Sequence, residues 1–147
     1  MENLKNFVGE ITIDYKRTTI PNVKINSPQT SYETLRPLYT AINYKEKSWA
    51  LFLNQSLDLC GYAQISDGAS NATLMDIKII VQHALMSHSS HIIISHNHPS
   101  GNLKPSTADK SVTKRLKEAC DLFDIKLADH LILTDQEYFS FANEGLL

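Results

Sequence analysis

Between His96 and Asp109 the chain reads HNHPSGNLKPSTAD, with two histidines two positions apart, a serine eight past the second histidine and an aspartate three past that serine. Histidine and carboxylate are metal-binding groups, and the spacing gives them a way to converge. If Ile92-Ile93-Ile94 is a buried strand, His96 and His98 leave its end on the same side, because strand side chains alternate between faces. Pro99 has no N–H to continue a ladder and Ser100-Gly101-Asn102 favours irregular backbone, so the chain turns away until Pro105-Ser106. Asp109 then returns as a third ligand. Two imidazoles and a carboxylate leave a fourth position open for water, which suits a catalytic zinc ion, one per chain, better than a closed structural site. Such a site serves hydrolysis.

The same residues have a second reading. Ser106-Thr107-Ala108-Asp109 fits a capping box, in which Ser106 caps a helix and Asp109 reaches back to the cap's N–H. The two roles are compatible, since a carboxylate in the first helical turn can ligate a cation while facing the positive end of the helix dipole.

The pattern His-x-His, seven residues, Ser, two residues, Asp resembles the signature of the JAMM (MPN) metalloproteases, and HNHPSG followed by PS and D resembles the RadC branch of that superfamily. Downstream, DIKLADHLILTD is similar to the strand after the RadC helix, with Asp129-His130 in the matching place; the resemblance runs from about Ser31 to Asp135. It implies an α+β fold of the JAMM/MPN, cytidine-deaminase-like kind, a mixed sheet flanked by helices. It also implies an upstream glutamate as general base, and Glu46, opening the segment EKSWALFLN, matches that position. One departure is visible: RadC sequences carry Pro-Arg-Glu before the first core helix, where this chain reads Leu74-Met75-Asp76.

The activity implied is cleavage of a peptide or isopeptide bond. Zinc held by His96, His98 and Asp109 would lower the pKa of water toward about 7, Glu46 would carry the proton, and the Ser106 hydroxyl would help to stabilise the oxyanion. The partner expected is a protein or peptide substrate. A zinc nucleobase deaminase is excluded, because it needs a glutamate two after the first histidine and a later P-C-x-x-C. The tripeptide His96-Asn97-His98 is not an HNH nuclease motif, whose residues are dispersed over a larger unit. The alternatives are a nucleic-acid-associated or DNA-repair-associated protein, as other RadC-like proteins are labelled, and a metal-binding scaffold without catalysis. Lys110, Lys114, Arg115 and Lys117 could touch phosphates, although a basic helix face is usually just solvated. The residues before Ser31 are expected to be too few for the helix-hairpin-helix module of longer RadC proteins. His130 is expected near the site in a hydrogen-bonding role, and His83 and His88 as non-ligands.

These residues need a scaffold, and composition bounds it. The 147 residues are 42% hydrophobic and 20% charged, enough for one core and too few for a second sizeable domain. The division expected is an N-terminal strand and connection over 1–30 and the RadC-like domain over 31–147. A net charge of −2 gives no overall attraction to nucleic acid or anionic membranes. Cys60 and Cys120 form no CxxC pair, no signal peptide opens the chain and no apolar run reaches membrane-spanning length, so the expectation is a reducing cytoplasm.

Periodicity supplies the elements. Val8 to Tyr15 alternates like an edge strand, and Ser31 is expected to open a short helix toward Ala41. Trp49–Leu53 and Leu57–Ile65, separated by Asn54-Gln55-Ser56, read as an antiparallel hairpin. Leu74, Ile77, Val81, Ala84 and Leu85 form one helical stripe, and Ala108, Val112, Leu116, Ala119, Cys120 and Phe123 another. Leu127 to Leu133 is expected as the closing strand.

Overall fold

The run Ile92-Ile93-Ile94 is apolar at every position because its strand is covered on both faces. Ile92 and Ile94 join one buried cluster and Ile93 joins another. The computed structural model of the protein describes residues 6–68 and 75–147. Five strands, β1 (Ser48–Leu53), β2 (Leu59–Ser66), β3 (His91–Asn97), β4 (Lys126–Leu133) and β5 (Tyr138–Ser140), form one sheet in the order β2-β1-β3-β4-β5. The β3–β4 pair is parallel and the other pairings are antiparallel, so the sheet is mixed. Helices α2 (Ile77–Met86) and α3 (Thr107–Asp121) supply Ile80, Ala84, Leu116 and Cys120 to the first cluster, against Ala50, Phe52, Ile92 and Ile94. On the opposite face α1 (Pro28–Leu35) and the residues after it bring Leu35, Tyr39 and Ile42 onto Leu51, Leu53, Ile93 and Leu131. The fold is α+β, with the expected hairpin as β1–β2 and α3 as the crossover that a parallel β3–β4 pair requires.

Several boundaries differ from those the periodicity predicts. Val8 to Tyr15 makes no ladder, and Val8 and Ile11 are almost fully exposed, so alternation there found no partner strand. Helix α1 begins earlier than Ser31: Ser27 caps it, Ser27 and Thr30 form a reciprocal capping box, and Pro28 sits at the first helical position, where its missing N–H is harmless. It gives way after Leu35 to a single 3₁₀ turn at Arg36–Leu38 containing Pro37, well short of Ala41. In α2, capped by Asp76, the inward face centres on Ile80 and Ala84, while Leu85 is 44% exposed; Leu74 lies outside the described residues. In α3 the buried positions are Thr113, Leu116 and Cys120, flanked by Val112 and Ala119. Ala108 is exposed, and so is Phe123, because the helix has ended at Asp121 and Asp124 takes a left-handed turn at φ 54°. Strand β4 does not close the sheet: the three-residue β5 pairs along Leu131–Leu133 and forms the edge.

Candidate metal centre

The alternation of β3 sorts its C-terminal residues by face. His96 continues the line of Ile92 and Ile94 toward α3, whereas Ser95 and Asn97 turn toward the α1 side, where Ser95 meets the Tyr39 hydroxyl at 2.8 Å and Asn97 reaches the Ile42 carbonyl. His98 extends the pairing with β4 by one bond, its N–H donating to the Leu133 carbonyl at 2.9 Å, and so returns its ring to the His96 side. The chain then turns, with Gly101 at φ 83° and its N–H on the His98 carbonyl, a conformation that favours glycine. Ser106 caps α3: its Oγ accepts from the Asp109 N–H at 3.0 Å, and Asp109 Oδ2 accepts from the Ser106 N–H at 2.8 Å. This capping box holds the Asp109 carboxylate at the mouth of the helix, directed at the two imidazoles.

His96 Nε2 and His98 Nε2 lie 3.0 Å apart, and Asp109 Oδ1 and Oδ2 lie 3.2 and 3.4 Å from them respectively. All three residues offer a ligand atom within 4.8 Å of the others, the arrangement expected from the sequence. His96 is 1% exposed, and the His98 and Asp109 side chains are 14% and 13% exposed, so the cluster is largely buried with a limited opening to solvent at His98 and Asp109.

Hydrogen-bond direction tells which imidazole nitrogens are available. His98 Nδ1 is 2.6 Å from the Asn102 carbonyl, which can only accept, so neutral His98 carries its proton on Nδ1 and a lone pair on Nε2. For His96 the direction is set further away. Thr113 Oγ1 donates its single proton to the Asp109 carbonyl, at 2.6 Å, and must therefore accept from His130 Nδ1, also at 2.6 Å. That leaves a lone pair on His130 Nε2, which accepts from His96 Nδ1 at 2.8 Å, and His96 Nε2 is left with a lone pair as well. With both imidazoles neutral, two lone pairs and a carboxylate then face one another. A cation is the group that fits.

Electrostatics agree. Burial alone would raise the Asp109 carboxyl, but hydrogen bonds from His96 and His98 outweigh it and hold the group far below the ordinary carboxylate range. The Asp109 hydrogen bond raises His98 against its partial burial, the Asn102 carbonyl adds to the rise, and the charges of Asp109 and Glu46 add further. His130, fully buried and stacked on Phe141 with ring centroids 4.4 Å apart, is pushed well below the usual histidine range by burial, consistent with its role as a neutral acceptor.

Glu46 is exposed and lies outside the ligand cluster. The antiparallel register pairs Ser48 with His96, and the Asn97 N–H reaches the Lys47 carbonyl at 3.4 Å. Continuing that register brings Glu46 level with His98, whose ionisation feels its charge. Ser106 caps α3, and its exposed side chain has an O–H proton that the cap does not use. His83 bonds the Ile79 carbonyl and stacks on Phe52, a local role; Lys110, Lys114, Arg115 and Lys117 are all exposed on α3. Among the described residues no helix is long and apolar enough to cross a membrane.

Two parts of the site have structural roles that the motifs do not announce. Thr113 belongs to no apolar stripe, and its one sequence signal is its place one turn after Asp109 on the same helix face. Asn97 stands between the two histidines in the chain but on the other face of the sheet.

Comparison with known proteins identifies the family. The sequence profile of the RadC-like JAB domain matches residues 25–146. A UPF0758 protein of Flavobacterium johnsoniae is 38% identical over 123 residues, covering 84% of this chain and 53% of its own length. One from Porphyromonas gingivalis is 40% identical over 124 residues, covering 84% and 54%. UPF0758 protein YkfG of Escherichia coli is 36% identical over 127 residues, covering 86% and 80%. The chain thus spans about half the length of the first two relatives. The profile match takes in α1 through β5, and with it the convergent His96, His98 and Asp109, so the chain belongs to the RadC-like JAB domain family.

Proposed function

We propose that the protein is a zinc-dependent hydrolase of the JAMM type that cleaves a peptide or isopeptide bond. The observation that carries this reading is the set of three converging ligand groups, with each imidazole's Nδ1 engaged by another partner and its Nε2 facing the cluster. His96, His98 and Asp109 would hold the ion, and borderline N/O ligation with an open side favours zinc. When bound, zinc supplies Lewis acidity and lowers the pKa of water toward about 7. Glu46, at the level of His98 and outside the ligand set, takes a proton from the attacking water. The oxygen adds to the amide carbon, the C–N bond breaks, and Glu46 returns the proton to the leaving nitrogen, giving a carboxylic acid and an amine, which become carboxylate and ammonium when the acid's proton passes to the amine. Ser106 Oγ accepts from the Asp109 N–H and keeps its own proton for the carbonyl oxygen as that atom gains negative charge. We place this activity in a reducing cytoplasm, since Cys60 and Cys120 are both free.

The nucleic-acid-associated reading rests on the exposed Lys110, Lys114, Arg115 and Lys117, set against a net charge of −2, and ranks second. The deciding experiment is elemental analysis of wild type, His96→Ala and His98→Ala, together with a screen of fluorogenic peptide and isopeptide libraries before and after chelation. One zinc per chain in wild type alone, with chelator-sensitive cleavage, supports the hydrolase; equal metal content in all three proteins refutes the site.

A further inference from the structure

The loop that carries Glu46 belongs to neither a helix nor a strand. It runs through turns from the end of the 3₁₀ segment to β1, with Ala41 in a left-handed conformation at φ 52° and the Tyr44 N–H closing on the Ala41 carbonyl at 2.9 Å. A general base there needs something else to fix it relative to the ligands, because proton transfer demands hydrogen-bond reach.

Asn97 meets that need. Its side chain is fully buried, and its polar capacity is spent on this loop: Oδ1 accepts from the Lys47 N–H at 2.7 Å, and Nδ2 donates to the carbonyls of Ile42 at 2.6 Å and Lys45 at 3.0 Å. The amide has only one workable orientation, since flipping it would set its oxygen against two carbonyls and its NH₂ against an N–H. Bonds to the residues on both sides of Glu46 thus originate from the residue between the two histidine ligands. A second contact acts from the opposite direction. Gly68, at φ 75°, packs so closely that a Cβ there would lie 2.4 Å from the Glu46 carbonyl oxygen.

We infer that Asn97 is a positioning residue, which, with Gly68 as a backstop, sets the location of the Glu46 carboxylate relative to the cation held by His96, His98 and Asp109. The inference rests on the reading of Glu46 as general base. In physical terms β3 uses its two faces for two parts of one site: ligands on the α3 side and the grip on the base loop on the other. A carboxylate at position 97 would keep the acceptor for Lys47 N–H but lose both donors, and it would place charge against two carbonyls, so asparagine is the side chain that satisfies all three partners.

The test uses the full chain loaded with cobalt(II), whose visible spectrum reports both ligation and binding of acetohydroxamate. That probe chelates a cation through its two oxygens and is held further by a neighbouring carboxylate. Glu46→Gln is expected to leave cobalt affinity unchanged and weaken acetohydroxamate by about tenfold, the worth of a charged hydrogen bond. Asn97→Ala should also keep cobalt and weaken the probe to a similar degree, and the double variant should be no weaker than either single one. Ser95→Ala, which breaks a buried bond on the same strand and face, should leave probe affinity at the wild-type value. If Glu46→Gln does not weaken the probe, the general-base reading fails and the inference falls with it. If Glu46→Gln weakens it while Asn97→Ala does not, or if the two effects simply add, only the inference fails. Should Asn97→Ala lose cobalt or unfold, Gly68→Ala decides the matter, since it displaces Glu46 from the other side: retained cobalt with a weakened probe supports positioning, and an unchanged probe refutes it.

Discussion

His96 Nδ1 lies 2.8 Å from Nε2 of His130, a residue of the neighbouring parallel strand that is outside the ligand set. Because His130 Nδ1 is occupied by Thr113, this one contact decides which nitrogen His96 presents to a metal.

Replacing His130 with Phe should keep the ring stacked on Phe141 but leave the His96 Nδ1–H without an acceptor. Zinc affinity is expected to fall by about ten- to a hundredfold, the usual effect of losing the partner of a ligating histidine. His130→Gln, which can accept from His96 and donate to Thr113, should recover part of it. Competition against a chromophoric chelator measures both, and equal affinity in wild type and His130→Phe would mean that the relay does not tune the metal.

The metal-free protein and the zinc-loaded protein should respond to pH in opposite senses. The His98 pKa is raised in the fold, chiefly by Asp109, so its contribution is fully present below its unfolded value, near 6.5, and is lost as pH rises through the higher folded value. Asp109 is depressed, so its contribution is present above the ordinary carboxylate value of about 4 and is lost only in strong acid. The pair therefore stabilises the metal-free fold most between about pH 4 and 6.5, and less above. Zinc competes with the His98 proton, so the increment it adds to the unfolding temperature should grow from about pH 5.5 to about 8. Calorimetry with and without zinc at both values checks the crossing trends, and a zinc increment independent of pH would contradict them.

Glu46→Gln and Asp109→Ala should fail differently. Glu46 is exposed and outside the ligand cluster, so its variant should retain zinc and its unfolding temperature while losing hydrolysis. Asp109→Ala removes a ligand and half of the α3 capping box together, with zinc lost and a stability penalty of about 1 kcal/mol in the metal-free state. Ser106→Ala should show the second effect without the first. Zinc content and urea unfolding of the three variants need no knowledge of the substrate; loss of zinc by Glu46→Gln would make that residue a ligand.

Duplex DNA should bind weakly and without sequence preference at physiological salt, given a net charge of −2 and a single helix of exposed lysines. Fluorescence anisotropy over a salt series measures this. Tight binding that persists at high salt and discriminates among sequences would favour the nucleic-acid reading.

The parts of this protein legible in its sequence are those set by short-range rules. His96, His98 and Asp109 lie within one strand, one turn and the first turn of a helix, so the two-residue period of the strand and the chemistry of a capping box suffice to bring them together. The β1–β2 hairpin and the two core helices follow equally local periodicities, though the phase of each buried face was set by packing: Ile80 took the place expected of Leu85, and Thr113 turned inward as a hydroxyl that bonds His130. Tertiary structure alone decided the rest. Val8 to Tyr15 alternates like a strand but pairs with none, whereas the three residues of β5 pair because Asp129 binds Ser140 and the Ala142 N–H beside them. Glu46 reaches the level of His98 only through the register of β1 on β3, and Asn97, Thr113 and His130 acquire their roles from partners 17 to 55 positions away in the chain. Hydrogen-bond direction is a property of such long-range contacts, and no spacing of residue types along the chain encodes it.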